Sequence, residues 1–144
     1  MTVSPPSTPE RQTAVRRVHV MVVDDSAIIR GLISRQLAGD PAIEVVATAP
    51  NGEAALAELD RRDVDVVVLD IEMPVMDGLT ALPLMLAAHP GLKVVMASTL
   101  TRRNAEISLK ALQLGAADYI PKPEAGLATA DDFKRELTFK VKVL

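Results

Sequence analysis

Residues 64–70 read Val-Asp-Val-Val-Val-Leu-Asp, a short β-branched run that ends on a carboxylate. β-branched side chains pack well on a pleated sheet, and apolar residues at successive positions suit a strand that is buried on both faces. Such strands belong to parallel sheets that carry helices on each side. We therefore predict a central strand at Val64–Leu69, with Asp70 at its carboxyl end.

Similar runs occur on both sides of this stretch. The other predicted strands are Val18–Val23, Ile43–Ala47, Lys93–Ala97 and Tyr119–Ile120. They alternate with segments of helical periodicity, and this alternation predicts an α/β fold with a doubly wound parallel sheet. Because crossover connections are right-handed, few arrangements remain, and we favour the flavodoxin-like (βα)5 fold with strand order 2-1-3-4-5.

Capping residues and apolar spacing predict five helices. The first follows Ser26 and is expected to present one apolar face made of Ile28, Ile29, Leu32, Ile33 and Leu37. The others are expected from Asn51 to Asp60, from near Thr80 with Pro83 in the first turn, from Arg102 to Leu114 before Gly115, and from Asp131 to Val143.

The last predicted helix carries two apolar strips. The strip expected to face inward consists of Phe133, Leu137, Val141 and Leu144. At about 100° per residue, Phe139 lies about 200° from Leu137, and Val143 follows Phe139 one turn later. We expect Phe139 and Val143 to contact either another domain or a second copy of this chain, which would form a homodimer.

Composition limits the classes of function. The chain has 144 residues, 49% of them hydrophobic, which suits one globular domain. The net charge of −3 argues against non-specific nucleic-acid binding, and the absence of cysteine excludes thiolate metal sites. No apolar run is long enough to cross a bilayer, so we expect a cytoplasmic protein without membrane insertion. Residues 1–16 are expected to form a flexible segment, and residues 17–144 the domain.

Polar side chains follow four of the predicted strands. Asp24 and Asp25 follow the first strand, Asp70 the third, Ser98 the fourth and Lys122 the fifth. In the proposed strand order these ends converge at the edge of the sheet where ligands bind in α/β folds. A single Asp after a strand is more often a helix cap or turn residue, but three neighbouring acids are harder to explain in that way.

Crowded carboxylates indicate a metal site. Like charges raise one another's pKa, and a divalent cation removes the repulsion. Hard oxygen ligands without Cys or clustered His favour Mg²⁺ over zinc. We expect Asp25 and Asp70 to bind the metal together with the backbone carbonyl of Glu72, while Asp24 orients metal-bound water or supports Asp25.

The lysine and the hydroxyl at this edge indicate that an anion also binds there. Lysine and Mg²⁺ neutralise the charge on a transferring phosphoryl group, and an Asp carboxylate can act as the nucleophile. We expect Asp70 to attack in line and become an aspartyl phosphate. Lys122 would then pair with one phosphoryl oxygen, and Ser98 would donate its hydroxyl to another.

Several motifs together resemble response-regulator receiver domains over about residues 18–144. They are Val-Val-Asp-Asp-Ser, Leu-Asp-Ile-Glu-Met-Pro-Val-Met-Asp-Gly, Met-Ala-Ser and Tyr-Ile-Pro-Lys-Pro. The resemblance implies phosphorylation from a phosphohistidine of a partner histidine kinase. It implies that Ser98 is the switch hydroxyl, that Tyr119 is a switch aromatic which turns inward when Ser98 engages the phosphate, and that the Lys122–Pro123 bond is cis. Thr99 stands where many receivers have Ala, so we expect it to alter the phosphorylated lifetime.

Within this family, the details are similar to the receiver of chemotaxis methylesterases (the CheB type). That resemblance implies a chemotaxis kinase as partner and a C-terminal esterase domain as the regulated output. The 144 residues contain no Gly-x-Ser-x-Gly nucleophile motif, so we expect the esterase domain to lie in a longer protein. The chain itself would be a regulatory domain with only its own phosphorylation and dephosphorylation chemistry.

Three alternatives stay open from the sequence. The residues are also compatible with a stand-alone receiver and with a receiver taken from a DNA-binding response regulator. A phosphatase of the haloacid dehalogenase type also uses an Asp nucleophile and Mg²⁺. Such enzymes place the nucleophile on the first strand with a second Asp two residues later, whereas Glu72 occupies that position after Asp70.

Overall fold

Among the residues that the structure describes, five parallel strands form one sheet in the order β2-β1-β3-β4-β5. The computed structural model describes residues 16–99, 101–122 and 127–144. The strands are β1 (Val18–Val23), β2 (Ile43–Ala49), β3 (Val66–Asp70), β4 (Lys93–Ser98) and β5 (Asp118–Pro121). The predicted flavodoxin-like fold and its strand order are therefore confirmed. The predicted flexible segment lies outside the described residues, apart from Arg16.

In the described part of the chain, five helices cover the two faces of the sheet. They are α1 (Ala27–Ala38), α2 (Gly52–Leu59), α3 (Gly78–Ala88), α4 (Arg102–Gln113) and α5 (Leu127–Val143). The predicted N-caps Ser26 and Asn51 accept hydrogen bonds from the backbone N–H groups of Ile29 and Ala54, respectively. Gly115 follows α4 with a φ of 115°, as expected for a glycine that ends a helix.

Side chains of each strand alternate between two apolar layers. Val67 and Leu69 point into a layer that they share with α2, α3 and α4, whereas Val66 and Val68 point into the layer under α1 and α5. All of β3 is buried, so a polar side chain within it needs a partner. This two-sided burial explains why the strand is apolar at successive positions.

The predicted start of α3 is wrong by two residues. Asp77 is the N-cap, and its carboxylate accepts a 2.8 Å hydrogen bond from the N–H of Thr80. Because the helix begins at Gly78, Pro83 is its sixth residue and lies beyond the first turn, where it removes the backbone hydrogen bond to Leu79. The predicted start of α5 near Asp131 is also too late, since the helix begins at Leu127.

Two apolar residues predicted to face the core are exposed. Ile28 is 80% exposed, because it lies about 180° around α1 from the buried Leu37. Leu144 is 40% exposed. Because α5 ends at Val143, helical periodicity no longer directs the Leu144 side chain toward the core. Phe139 and Val143 are exposed as expected, and their role in docking stays a prediction.

Val75 has a backbone conformation that β-branched residues rarely adopt. Its φ is 71°, in the loop between β3 and α3, and its side chain is 76% exposed. The left-handed region costs an L-residue roughly 1–2 kcal/mol, and glycine avoids this strain. Glycine also makes the unfolded chain more flexible, which offsets part of the gain in stability. We expect Val75→Gly to raise the free energy of unfolding by about 0.5–1 kcal/mol in urea titrations. Val75→Ala keeps the Cβ atom, so an equal gain in that variant would contradict the explanation.

Candidate functional site

The ends of β1 and β3 bring three carboxylates together. These strands are neighbours, with Val23 paired to Leu69, so the residues that follow them lie side by side. Asp24, Asp25 and Asp70 each place one carboxylate oxygen within 4.8 Å of the others. Asp24 is 1% exposed and Asp70 is 5% exposed, whereas Asp25 is open to solvent. The predicted acidic cluster is therefore present in the fold.

Lys122 reaches into this cluster from the end of β5. Its Nζ lies 2.7 Å from Asp24 Oδ2 and 2.9 Å from Asp70 Oδ1. The backbone N–H of Lys122 donates a 2.7 Å hydrogen bond to the carbonyl of Ser98, which ties the end of β5 to the end of β4. The lysine thus places one positive charge between two buried carboxylates.

Burial and charge set the protonation of this group. The pKa of Asp70 is raised to about 6, and burial is the largest cause. The Asp24 carboxylate also raises this pKa, whereas Lys122 and the N–H of Ile71 lower it. Burial lowers the pKa of Lys122, but the paired carboxylates of Asp24 and Asp70 outweigh that effect and hold the pKa above its usual value. At neutral pH, Asp70 is therefore mostly ionised beside a charged lysine.

Asp24 is held in place by contacts that the sequence analysis did not identify. Its Oδ1 accepts a 2.9 Å hydrogen bond from the N–H of Ser26. The Arg30 guanidinium donates a 2.7 Å hydrogen bond to the backbone carbonyl of Asp24. Arg30 lies within α1 and belongs to none of the quoted motifs. Its contact with the Asp24 carbonyl is recognisable only in the folded structure, where α1 brings the two residues together.

The remaining predicted residues lie around the cluster at different depths. Ser98 is 6% exposed at the end of β4, between β3 and β5. Tyr119 on β5 is 41% exposed. The Glu72 side chain is exposed, with its carboxylate 3.8 Å from the Arg103 guanidinium. Metal binding by the Glu72 carbonyl stays a prediction, and the Lys122–Pro123 bond lies outside the described residues.

Gly78 packs directly against the backbone of Asp70. Its N–H donates a 2.8 Å hydrogen bond to the carbonyl of Ile71. A Cβ atom at position 78 would lie 2.0 Å from the Asp70 carbonyl oxygen and 3.2 Å from the Ile71 Cα. The first residue of α3 therefore has no room for a side chain, and this close approach places the loop after β3.

The donor set suits a small hard cation. Three carboxylates supply oxygen ligands, and the chain contains no cysteine that would select a softer metal. Asp25 is exposed while Asp24 and Asp70 are buried, so the cluster opens to solvent on one side. This arrangement fits Mg²⁺, which keeps several water ligands when it is bound by one or two carboxylates.

Comparisons with known proteins agree with this geometry. The family model of the response regulator receiver domain matches residues 20–130. The chain belongs to the response regulator receiver family. A protein-glutamate methylesterase/protein-glutamine glutaminase of Rhodospirillum centenum is 64% identical to this receiver over 127 residues, which are 87% of this chain and 32% of that protein.

Solved receiver structures share the fold. The response regulator domain of Thermotoga maritima CheB superimposes with a TM-score of 0.79 at 36% identity, covering 88% of this chain and 95% of that one. The complex of the P1 domain of CheA3 with CheY6 from R. sphaeroides contains a chain with a TM-score of 0.71 and 33% identity, covering 90% and 99%. The receiver spans about a third of the length of the Rhodospirillum relative.

None of the receiver's helices, within the described part of the chain, combines the length and apolar character that a membrane crossing requires.

Proposed function

We propose that this receiver accepts a phosphoryl group on Asp70 from a phosphohistidine of a chemotaxis histidine kinase, in the cytoplasm and with Mg²⁺. The observation that carries the proposal is the contact of Lys122 with both Asp24 and Asp70 inside a cluster of three carboxylates. A nucleophile, a cationic partner and oxygen ligands for a metal then share one pocket. Each is required for transfer of a phosphoryl group to a carboxylate.

The transfer conserves atoms and charge. A carboxylate oxygen of Asp70 forms a bond to phosphorus while the bond from phosphorus to the imidazole nitrogen breaks. The bonding electrons return to the imidazole, and Asp70 becomes an acyl phosphate. Mg²⁺, when bound, neutralises part of the charge on the phosphoryl oxygens.

The chain's own residues hold this group in place. Asp25 and Asp70, with the Glu72 carbonyl, are proposed as direct metal ligands, and Asp24 supports the site through its fixed carboxylate. The ammonium of Lys122 moves from the carboxylates to a phosphoryl oxygen. Ser98 lies buried at the neighbouring strand end, from which its hydroxyl donates to another oxygen.

The relatives support a chemotaxis methylesterase as the regulated output. The Rhodospirillum protein carries that name, and its sequence extends well beyond the matched region. We propose that the parent protein joins this receiver to a C-terminal esterase domain, which the phosphoryl group relieves from repression. The CheA3–CheY6 complex supports a chemotaxis kinase as the phosphoryl donor, because a similar receiver binds such a partner there.

Intact mass measurement tests the proposal. After incubation with acetyl phosphate and Mg²⁺, the wild-type chain should gain the mass of one phosphoryl group, and EDTA should prevent the gain. Asp70→Asn should not gain it, because the nucleophilic carboxylate is absent. Ser98→Ala keeps the nucleophile and is the control that should still be labelled. A phosphoryl group that survives in Asp70→Asn would overturn the assignment.

A further inference from the structure

The first turn of α4 is tied to the loop that follows Ser98. Asn104 is the third residue of α4, and its N–H donates a 3.0 Å hydrogen bond to the N-cap hydroxyl of Thr101. Its side chain turns back, so that Nδ2 donates a 3.1 Å hydrogen bond to the carbonyl of Thr99. The Thr99 hydroxyl lies 3.5 Å from the same nitrogen. Asn104 therefore connects α4 to the residue next to the proposed phosphate-binding serine.

This connection is partly buried, because Thr99 is exposed whereas Asn104 is buried. Asn104 is 4% exposed, and its Oδ1 atom has no hydrogen-bond partner among the described residues. A half-satisfied amide inside a protein is unfavourable compared with a fully bonded one. The hydrogen bond of Nδ2 to the Thr99 carbonyl offsets part of this cost.

The segment at residues 98–99 is held from two sides. On one side, the Ser98 carbonyl accepts a hydrogen bond from the N–H of Lys122. On the other side, the Thr99 carbonyl is held by Asn104. Any movement of Thr99 away from the first turn of α4 would stretch its contact with Asn104. Tyr119 on the neighbouring strand β5 is 41% exposed.

The neighbouring residue offers a contrast. Arg103 contacts Glu72 on the loop after β3, but both side chains are largely exposed and their charges lie 3.8 Å apart. Exposed pairs of this kind contribute little. Arg103 therefore forms only an exposed ion pair, whereas the buried Asn104 side chain donates a hydrogen bond to the Thr99 carbonyl.

From these contacts we infer that Asn104 is a positioning residue that holds the loop after Ser98 in its unphosphorylated arrangement and thereby couples the phosphoryl site to α4. The inference rests on the proposed function, since it concerns the response of this loop to a phosphoryl group on Asp70. Loss of the contact should make the switched arrangement easier to reach. A phosphoryl mimic should then bind more tightly, because less of its binding free energy is needed to shift the conformation.

Tyr119 provides a direct readout of the switch. It is the sole tyrosine, and the chain has no tryptophan, so intrinsic fluorescence reports the surroundings of this ring. The experiment titrates the 144-residue chain with beryllofluoride in the presence of Mg²⁺ and follows both Tyr119 fluorescence and the melting temperature. The wild type should respond with a saturable change that Asp70→Asn lacks.

Asn104→Ala should lower the beryllofluoride midpoint about fivefold, the effect expected of one lost hydrogen bond. Asn104→Leu keeps the volume and shape of the side chain without its amide, so it should give the same shift even if the alanine variant folds poorly. Arg103→Ala is the matched control and should stay within about twofold of the wild type.

A midpoint that is unchanged or raised in both Asn104 variants, beside a normal wild-type response, would overturn the role of Asn104 alone. A wild type that shows no Asp70-dependent response in either readout would overturn the proposed function and the inference with it. The two failures are therefore distinguishable in one set of titrations.

Discussion

Asp70→Asn is expected to stabilise the metal-free protein at pH 8, raising the free energy of unfolding by up to about 3 kcal/mol. Burial holds the pKa of Asp70 at about 6 in the folded state, against an ordinary value of 3.8. The folded state therefore binds a proton more tightly than the unfolded state does. Above pH 6 the native protein carries a buried charge that asparagine does not have, and the lost contact with Lys122 reduces the gain only in part.

The sign of the pH dependence follows from the same shift. Because the folded pKa is raised, the stability that Asp70 contributes is fully present below about pH 4 and is lost as the pH rises through about 6. The difference between Asp70→Asn and the wild type should be largest above pH 6 and nearly absent at pH 4. Urea titrations in EDTA at pH 4, 5 and 8 measure it.

Asp25→Asn is the matched control, since that carboxylate is exposed. Its effect in EDTA should stay within about 0.5 kcal/mol. Millimolar Mg²⁺ should reverse the order of stabilities, because it binds the folded wild type and stabilises it by mass action. A stability difference between Asp70→Asn and the wild type that does not change with pH would show that burial of the Asp70 charge is not its cause.

Gly78→Ala is expected to lower the free energy of unfolding by about 2–4 kcal/mol. The added Cβ would lie 2.0 Å from the Asp70 carbonyl oxygen, and that oxygen belongs to the backbone, which cannot rotate away as a side chain would. Either α3 or the end of β3 must move. Both choices strain the hydrogen bond from the Gly78 N–H to Ile71.

The same substitution should slow phosphorylation of Asp70 by about 10- to 100-fold, since a shift of about 1 Å in a reacting group can cost that much. Urea titration and the rate of mass gain with acetyl phosphate measure the two effects. Gly91→Ala is the control, because a Cβ there meets no atom within 4 Å. If the two alanine variants were equally stable and equally fast, the close approach of Gly78 to Asp70 would not be important.

The sheet was predictable because its signals are local. The runs at Val18–Val23 and Lys93–Ser98 are apolar at nearly every position, a pattern that two-sided burial requires. The start of a helix was predictable where only one nearby residue suits the N-cap position, as with Ser26 and Asn51. The start of α3 was not, because Asp77 and Thr80 are both acceptable capping residues and only the path of the loop after β3 selects between them.

The sequence by itself determined the fold class, because hydrophobic periodicity distinguishes the strands from the helices. It also determined which residues follow the strands, because these are set by their order along the chain. Only the tertiary structure decided how deep those residues lie and what they contact. Lys122 bridges Asp24 and Asp70, Arg30 holds the Asp24 backbone, and Asn104 holds Thr99. These contacts join residues at the ends of different strands, or join a helix to a residue that precedes it. Their distances depend on how the elements pack, which no local pattern encodes.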